Sequence, residues 1–369
     1  MQSHQRNERD EQETLALTEC YLQEFVAPHA AAIDEQPEAL KVALQGLGDR
    51  ALLALRAPGS SLSRENFYRF QELVARYSGA LAFLQTQHQS AGSLLANSTN
   101  NALKQELLPH LASGNILIGV GFSQLRRPGK PLMKAIPVEG GYQLQGTVPW
   151  ITGYNFFDQF IVGATLPTDE VLYGLMPLQD TDRSMGGRLH FGEPLQLLAM
   201  GSTQTVSLQV EDWFLARDRV VALQGRDRLS EKDRENVLHH SFFALGCARA
   251  AIAILQDIDR QKSLSFLSQA SQHLERELED CRHLIYQALS NRDDFERRLH
   301  LRARAIELTG RCARAAVVAS SGAANLKSHP AERVYRESLM FAVSGQTQAV
   351  MEATLQQLAD RAPGRITKY

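Results

Sequence analysis

Two side chains suited to holding a flat ligand, Trp150 and Thr152, stand two residues apart near the middle of the chain. The surrounding segment, Gly146 to Tyr154, is expected to be extended, and residues i and i+2 of a strand point to the same face. The indole and the hydroxyl would therefore project together, with Ile151 turned away. A flat ring beside a hydroxyl suits a planar heteroaromatic ligand, which needs a stacking surface and a hydrogen-bonding partner at its edge. A core tryptophan before a turn is the alternative interpretation.

His88 is a second residue that could do chemistry, and it lies in an apolar, small-residue-rich segment, residues 80–95. An imidazole can transfer a proton near neutral pH, whereas a buried histidine is otherwise a hydrogen-bonded structural residue. Both interpretations stay open. The adjacent His239 and His240 have no partner at metal-binding spacing.

The four cysteines are scattered and show neither disulfide nor zinc spacing. Three of them fall in helical patterns, where a free, buried thiol is expected. The four cysteines of the chain are Cys20, Cys247, Cys281 and Cys312.

The length and charge of the chain limit the classes of protein to which it can belong. Its 369 residues suffice for two or three domains. The 39 Lys and Arg residues nearly balance 41 Asp and Glu residues, and no basic stretch is interleaved with aromatic residues, so nucleic-acid binding is not indicated. The N-terminal residues 1–13 lack an apolar signal segment, and no apolar run is expected to span a bilayer. A cytoplasmic location is the resulting expectation.

The hydrophobic periodicity changes twice along the chain. After a loose polar tail over residues 1–12, a helical pattern covers residues 13–115. Short apolar runs separated by turn residues, including a hairpin around Glu139-Gly140-Gly141, indicate a β region over residues 116–222. Long amphipathic runs over residues 223–369 predict an antiparallel helical bundle. The predicted fold is therefore mainly helical with a central β domain.

Four segments of the sequence resemble motifs of one family, the acyl-CoA dehydrogenase superfamily of flavoproteins. Leu107 to Gly114 looks like its "LP-x-L-x-x-G" segment, and Trp150 to Gly153 looks like its Trp-Ile-Thr/Ser motif. Gly201 to Val220 is similar to its strand-to-exit-loop segment, and Pro330 to Glu337 resembles "P-x-x-R-x-x-R-D". The order and spacing of the four segments together carry the resemblance, which covers nearly the whole chain.

The resemblance implies an N-terminal helical domain, a middle β-barrel-like domain and a C-terminal four-helix bundle. It also implies a bound flavin, FAD with FMN as the alternative, and a homodimer or homotetramer built through the bundle. By this analogy Trp150 packs against the isoalloxazine and the Thr152 hydroxyl reaches flavin N5. The remaining cofactor-binding residues that the resemblance implies are Phe122, Ser123, Ile151, Gly322 and Thr347.

The family's chemistry needs a carboxylate that removes the α-proton of an acyl thioester. Gly345 stands where most members carry that glutamate. A minority place the base on the first bundle helix, at the position of Asn236 here, and Glu235 is one residue, or about 100° of helix rotation, away. The catalytic base is therefore left open, with Glu235 and His88 as candidates. Restoring a carboxylate by Gly345→Glu is expected to raise dehydrogenase activity.

Three functions follow from these residues. The first is FAD-dependent dehydrogenation of the CH–CH group of an acyl-CoA, with a hydride passing to flavin N5 and a separate electron acceptor. The second is a monooxygenase-like reaction that uses reduced flavin, oxygen and a flavin-reductase partner, with His88 assisting. The third is a non-catalytic member that binds an acyl group or a protein.

Overall fold

A computed structural model describes residues 2–57, 62–183, 186–291 and 294–359, and for residues 2–8 the backbone only. The chain forms two compact units. The first contains the chain up to residue 67 together with residues 80–231, and the second contains residues 68–79 and the chain from residue 232 onward. The predicted order of helices, β region and helices is confirmed. The N-terminal helices and the β region nevertheless share one compact unit, whereas the sequence indicates two domains there.

Six α-helices precede the sheet in the described part of the chain. Residues 2–12, expected to be a loose tail, are the first half of helix α1. No glycine or proline interrupts this segment, and its Glu11 is buried, where the carboxylate accepts hydrogen bonds from the Ser63 amide at 2.8 Å and from Asn66 Nδ2 at 2.6 Å. The helices are α1 Gln2–Tyr21, α2 Ala30–Glu35, α3 Pro37–Gly48, α4 Arg64–Tyr77, α5 Gly79–Ala96 and α6 Asn101–Leu111.

The middle of the chain forms one mixed sheet with the strand order β6-β7-β8-β3-β2-β4-β5-β9, and β1 pairs with β4 in parallel. The predicted hairpin is confirmed as the antiparallel pair β2–β3. The short β6 and β9 were not predicted. The strands are β1 Ile118–Gly121, β2 Met133–Val138, β3 Gly141–Ile151, β4 Gln159–Thr165, β5 Val171–Pro177, β6 Thr181–Arg183, β7 Gly187–Phe191, β8 Val206–Ala216 and β9 Val220–Gln224.

Helices α5 and α6 share a hydrophobic core with the sheet. This shared core explains why helices and strands form a single unit, since burying the apolar face of a helix against a sheet stabilises both. Its members include Ala91, Leu95, Leu103, Leu107, Leu111, Ile161, Tyr173, Leu175 and Val221.

The second unit is built from long helices, as predicted. The end of the predicted bundle is divided into two helices at Ser344, where a loop of residues 344–347 contains Gly345 with a φ of +59°. The helices are α7 Arg226–Glu235, which begins in the first unit, then α8 Ser241–Lys262, α9 Ser265–Ala288, α10 Phe295–Ser320, α11 Pro330–Val343 and α12 Gln348–Ala359.

Glu72 on α4 explains why residues 68–79 belong to the second unit. Its buried carboxylate accepts hydrogen bonds from Arg249 Nε at 2.9 Å, from Arg282 Nε at 2.9 Å and from the Tyr286 hydroxyl at 3.1 Å. Close packing adds to this network, because a Cβ at Gly246 would lie 2.3 Å from the Glu72 carbonyl oxygen.

Helix α8 is long and apolar enough to cross a membrane by length and composition, and 67% of its apolar window is buried inside the protein. It contains the buried Cys247, while Cys281 and Cys312 are buried on α9 and α10 and Cys20 is exposed. The expectation of three buried thiols is confirmed. Burial raises the pKa of Cys281 to about 11 and that of Cys312 to about 12, so both remain protonated at neutral pH.

Candidate functional site

Trp150 lies on the surface of the first unit because β3 contains a β-bulge. The register pairs Val148 with Leu208 and Ile151 with Val206, so β3 takes three steps where β8 takes two. Bulges of this kind redirect a side chain. Val148 and Ile151 both become fully buried, and Trp150 is left 42% exposed. The interpretation of Trp150 as a core residue is therefore wrong.

The structure changes the predicted relationship between Trp150 and Thr152. Strand β3 ends at Ile151, so Thr152 lies outside the strand, and its side chain is buried. Ile151 turns inward as expected. Because that side chain is fully buried in the core, a ligand at the surface cannot contact it, and the predicted cofactor contact of Ile151 is limited to its backbone.

The Thr152 hydroxyl belongs to a chain of hydroxyl groups that sequence reasoning did not find. Thr152 Oγ1 lies 2.9 Å from Thr205 Oγ1, which lies 3.4 Å from Thr203 Oγ1. Thr203 donates to the Met200 carbonyl oxygen at 2.7 Å. Since a carbonyl only accepts, the Thr203 proton is committed to Met200. The pairing of β3 with β8 brings Thr152 and Thr205 together, although 53 residues separate them.

The loop from Met200 to Gln204, which contains Thr203, has an unfavourable backbone conformation. Met200 and Gln204 have φ values of +60° and +48°, and non-glycine residues in this region cost about 1–3 kcal/mol each. Buried hydrogen bonds offset the strain, because the Met200 amide donates to Asp34 Oδ1 at 2.8 Å and the Ser202 hydroxyl donates to the Ile33 carbonyl at 2.6 Å. The Thr152–Thr205 geometry is thereby held rigidly.

Phe122 and Ser123 stand directly after β1. Phe122 is half-buried and packs edge-on against Tyr173 with ring centroids 5.7 Å apart, so part of its side chain serves the core. Ser123 is exposed and begins a short 3₁₀ turn. Their contact with a cofactor stays a prediction.

His88 is a fully buried residue that joins three elements of the first unit. Its Nδ1 accepts a hydrogen bond from the Ile118 amide at 2.9 Å, so the neutral ring carries its proton on Nε2 and donates to the Leu111 carbonyl at 3.0 Å. Burial lowers the pKa of His88. Because both ring nitrogens are bound to the backbone of α6 and β1, the geometry assigns His88 a structural role.

In the second unit, the space beside Gly345 is filled by an imidazole. A Cβ added at Gly345 would lie 2.4 Å from Cδ2 and 2.5 Å from Nε2 of His240. His240 Nδ1 lies 2.8 Å from the hydroxyl oxygen of Ser344. A glutamate cannot enter this position unless His240 moves, and the positive φ adds strain. The structure thus leaves no room for the side chain of Gly345→Glu, which the sequence analysis expects to raise activity.

Two buried arginines of α10 hold the segments on either side of His240. Arg302 donates to the Val237 carbonyl at 3.0 Å and to the Ser344 carbonyl at 2.6 Å, and Arg298 donates to the Glu235 carbonyl at 2.6 Å. Burial lowers the pKa of Arg302 to about 10, so the guanidinium stays charged at neutral pH. The chain from residue 235 to His240 and the loop of residues 344–347 are thus fixed to one helix.

The sequence pattern places Glu235 and Asn236 on the first long bundle helix. In the structure they lie before that helix. Glu235 is the last residue of α7, and α8 begins at Ser241, so residues 236–240 form a turn. Asn236 Nδ2 donates to the Lys232 carbonyl at 2.9 Å. The argument from a 100° rotation along a continuous helix is therefore wrong for this pair.

The remaining predicted residues lie near helix ends of the second unit. Thr347 is half-buried, and its hydroxyl accepts a hydrogen bond from the Val350 amide at 3.3 Å, which caps the start of α12. Gly322 is exposed in a 3₁₀ turn after α10. Their roles in binding cofactor phosphates stay predictions. On α11, Arg333 pairs with the buried Glu337 at 2.6 Å, a structural ion pair.

Comparisons with known proteins agree with this architecture. Residues 8–115 match the model of the acyl-CoA dehydrogenase N-terminal domain. A mitochondrial isovaleryl-CoA dehydrogenase of Oryza sativa subsp. japonica is 27% identical over 216 residues, which cover 56% of this chain and 52% of that protein. The match therefore spans about half the length of this curated relative.

Solved structures extend the likeness to nearly the whole chain. Butyryl-CoA dehydrogenase from Megasphaera elsdenii superposes with a TM-score of 0.78 at 18% identity, covering 95% of this chain and 98% of that one. A glutaryl-CoA dehydrogenase in complex with glutaryl-CoA gives a TM-score of 0.78 at 16% identity, covering 94% and 95%. The fold is thus that of the acyl-CoA dehydrogenases. Residues 8–115 in addition resemble the N-terminal domain of that family in sequence.

Proposed function

We propose that this protein is a flavin-dependent oxidoreductase that oxidises the Cα–Cβ bond of an acyl-CoA. The observation that carries the proposal is the exposed Trp150, two residues before Thr152, whose buried hydroxyl pairs with that of Thr205. A large exposed aromatic ring, redirected outward by a bulge, has no role in the core of its own sheet. It offers a stacking surface, and bulges are over-represented next to active sites.

The residues present fit a flavin. Trp150 would hold the ring system by stacking, and Thr152 would hydrogen-bond its edge, with Phe122 and Ser123 as further contacts. When bound, the flavin supplies an acceptor for a hydride. The loop from Met200 to Gln204 keeps the Thr152 hydroxyl in place. A hydrogen bond from this hydroxyl to the flavin would therefore cost little side-chain entropy. FAD is the proposed form, with FMN as the alternative.

The relatives and structural neighbours support an acyl-CoA substrate, since they are named as dehydrogenases of isovaleryl-, butyryl- and glutaryl-CoA. One structural neighbour is described as an electron transferring flavoprotein of Acidaminococcus fermentans. A protein of that class is the proposed electron acceptor. The cytoplasmic location stays a prediction. The plant relative from Oryza sativa is named as a mitochondrial protein, which differs from that prediction.

Self-association through the bundle is part of the proposal. Helix α11 exposes Tyr335, Leu339 and Val343 at four-residue spacing, so they form one stripe. Helix α12 exposes Met351, Leu355 and Leu358 at three- and four-residue spacing. Apolar stripes of this kind mark interaction surfaces, and a homodimer or homotetramer would cover them.

Two alternative functions are a monooxygenase-like reaction and a non-catalytic binding role. His88, which supported the oxygen-using alternative, has both ring nitrogens bonded to the backbone. The non-catalytic alternative predicts no turnover, and it predicts that Thr152→Ala leaves the function of the protein intact.

The test is the absorbance spectrum of the purified protein, with the released flavin identified by chromatography. We expect one FAD per chain, and bleaching of its absorbance by an acyl-CoA without oxygen. Trp150→Ala should lose the flavin, whereas Phe266→Ala, which truncates an exposed aromatic ring on α9, should retain it. Absence of flavin after adding FAD or FMN would support the non-catalytic alternative. Activity that depends on oxygen and a reductase would support the monooxygenase.

A further inference from the structure

We propose that Thr205 is a positioning residue that lets the Thr152 hydroxyl donate a hydrogen bond to oxidised flavin and accept one from reduced flavin, an inference that rests on the proposed function. The hydroxyl groups of Thr152, Thr205 and Thr203, called here the hydroxyl chain, all belong to the first compact unit. Their distances allow two directions of hydrogen bonding, and each direction suits one form of the ligand.

One end of the hydroxyl chain has a fixed direction. Thr203 Oγ1 donates its single proton to the Met200 carbonyl oxygen at 2.7 Å, so toward Thr205 it can only accept. Thr203 and Thr205 are both buried, and the protons of buried hydroxyl groups need partners within the protein. Among the described residues, the Thr205 proton has two acceptors, Thr152 Oγ1 at 2.9 Å and Thr203 Oγ1 at 3.4 Å.

In the first direction, Thr205 donates to Thr152. This bond is the better use of the Thr205 proton, because hydrogen bonds between hydroxyl groups are normally 2.5–3.0 Å long and 3.4 Å is outside that range. The Thr152 oxygen then accepts from Thr205, and the Thr152 proton is available to an acceptor on a ligand. In oxidised flavin N5 is an unprotonated ring nitrogen that accepts, so this direction suits the oxidised form.

In the second direction, every hydrogen bond of the chain up to Thr203 is reversed. In reduced flavin N5 carries a hydrogen, so it donates to the Thr152 oxygen. The Thr152 proton then passes its hydrogen bond to Thr205 at 2.9 Å, and Thr205 donates to Thr203 at 3.4 Å. Two hydroxyl groups rotate, and each proton keeps an acceptor. Thr205 makes this reversal possible, because it accepts from Thr152 whenever the ligand cannot.

Backbone hydrogen bonds hold the oxygen atoms of the hydroxyl chain at these distances. The Gly153 amide, directly after Thr152, donates to the Thr203 carbonyl oxygen at 2.9 Å. The Leu195 amide donates to the Thr205 carbonyl oxygen at 2.8 Å. The backbone of all three threonines is thereby connected by hydrogen bonds, and changing the direction of the chain requires rotation about C–O bonds only.

The experiment compares the affinities of Thr205→Val for oxidised and reduced flavin. Fluorescence titration gives the Kd of oxidised FAD, and anaerobic equilibration with a redox dye gives the reduction potential of the bound flavin. We expect the ratio of reduced to oxidised Kd to rise about tenfold, because a donating ligand leaves the buried Thr152 proton without an acceptor. For a two-electron couple, this change lowers the potential by about 30 mV.

Three further variants separate hydrogen-bond direction from folding. Thr205→Ser keeps the hydroxyl and should keep the wild-type potential. Thr203→Val removes the last acceptor, while the Thr203 amide still donates to the Met200 carbonyl at 3.0 Å. It should raise the same ratio by roughly threefold, since the bond that it removes is long. Thr147→Val, which removes a hydroxyl bonded to Gln209 on the same pair of strands, is the matched control and should leave the ratio unchanged.

The outcomes distinguish this inference from the proposed function. An unchanged or more positive potential in Thr205→Val, or in Thr203→Val if the first variant does not fold, would overturn the role of Thr205 while flavin binding stands. A potential in Thr205→Ser that is as low as in Thr205→Val would also overturn it, because the shift would then not depend on the hydroxyl. A wild-type protein that binds neither oxidised nor reduced flavin would overturn both proposals.

Discussion

His240 and Gly345 share one space in the second unit, because a side chain at Gly345 would overlap the imidazole edge at 2.4–2.5 Å. Glycine at this position is required twice, once by the imidazole and once by its φ of +59°. A side chain at position 345 and the imidazole of His240 therefore cannot occupy this space together. This relationship links residues 105 positions apart in the sequence.

Gly345→Ala is predicted to destabilise the protein. The left-handed conformation costs a non-glycine residue roughly 1–2 kcal/mol, and displacing His240 adds to that cost. Urea unfolding measures the change in the free energy of unfolding. Gly310→Ala is the control, because Gly310 lies within α10 with nothing within 4 Å of its Cβ position, and alanine should stabilise that helix by roughly 0.5–1 kcal/mol. Equal effects of the two substitutions would contradict the prediction.

Thr205→Val is predicted to weaken flavin binding without unfolding the protein. The substitution keeps the shape and removes the hydroxyl that lies 2.9 Å from Thr152 Oγ1. Loss of one hydrogen bond is worth about 0.5–1.5 kcal/mol, or roughly two- to tenfold in Kd. Fluorescence titration with FAD measures the change. Thr147→Val, which removes a surface hydroxyl bonded to Gln209, should leave Kd unchanged, and an equal loss there would argue against a specific role for Thr205.

His88 is predicted to make the protein less stable in acid. Burial lowers its folded-state pKa below the ordinary 6.5, so the unfolded chain binds more protons below that pH. The contribution is complete above about pH 6.5 and declines as the pH falls through that value toward the folded-state pKa. The slope of unfolding free energy between pH 5 and 7.5 should be shallower in His88→Gln than in wild type. The exposed His110→Gln serves as control, and an unchanged slope in His88→Gln would contradict the prediction.

Leu355→Lys is predicted to reduce self-association. Leu355 is 59% exposed on the apolar stripe of α12, and a buried lysine in an interface carries an unpaired charge. Light scattering after size-exclusion chromatography should show a multiple of the chain mass for wild type and a smaller species for the variant. Leu17→Lys, on the exposed face of α1, is the control. A monomeric wild-type protein would contradict the proposed homo-oligomer.

Local patterns in the sequence were sufficient for the order of elements. The hairpin around Gly140 and the long bundle helices follow from hydrophobic period and turn residues, which act over short separations. The break between α11 and α12 was missed because helix periodicity continues across Ser344, and the helical start of the chain was missed because its anchor, Glu11, bonds to residues more than 50 positions away.

The sequence alone determined which residues were available: a tryptophan and a threonine before Gly153, a glycine where a carboxylate was expected, and a family resemblance. The tertiary structure decided the exposure and the contacts of these residues. A one-residue bulge against β8 exposed Trp150, pairing with Thr205 fixed Thr152, and chain packing placed His240 beside Gly345. These outcomes depend on contacts between residues about 50 to 100 positions apart, and periodicity within a single element carries no information about them.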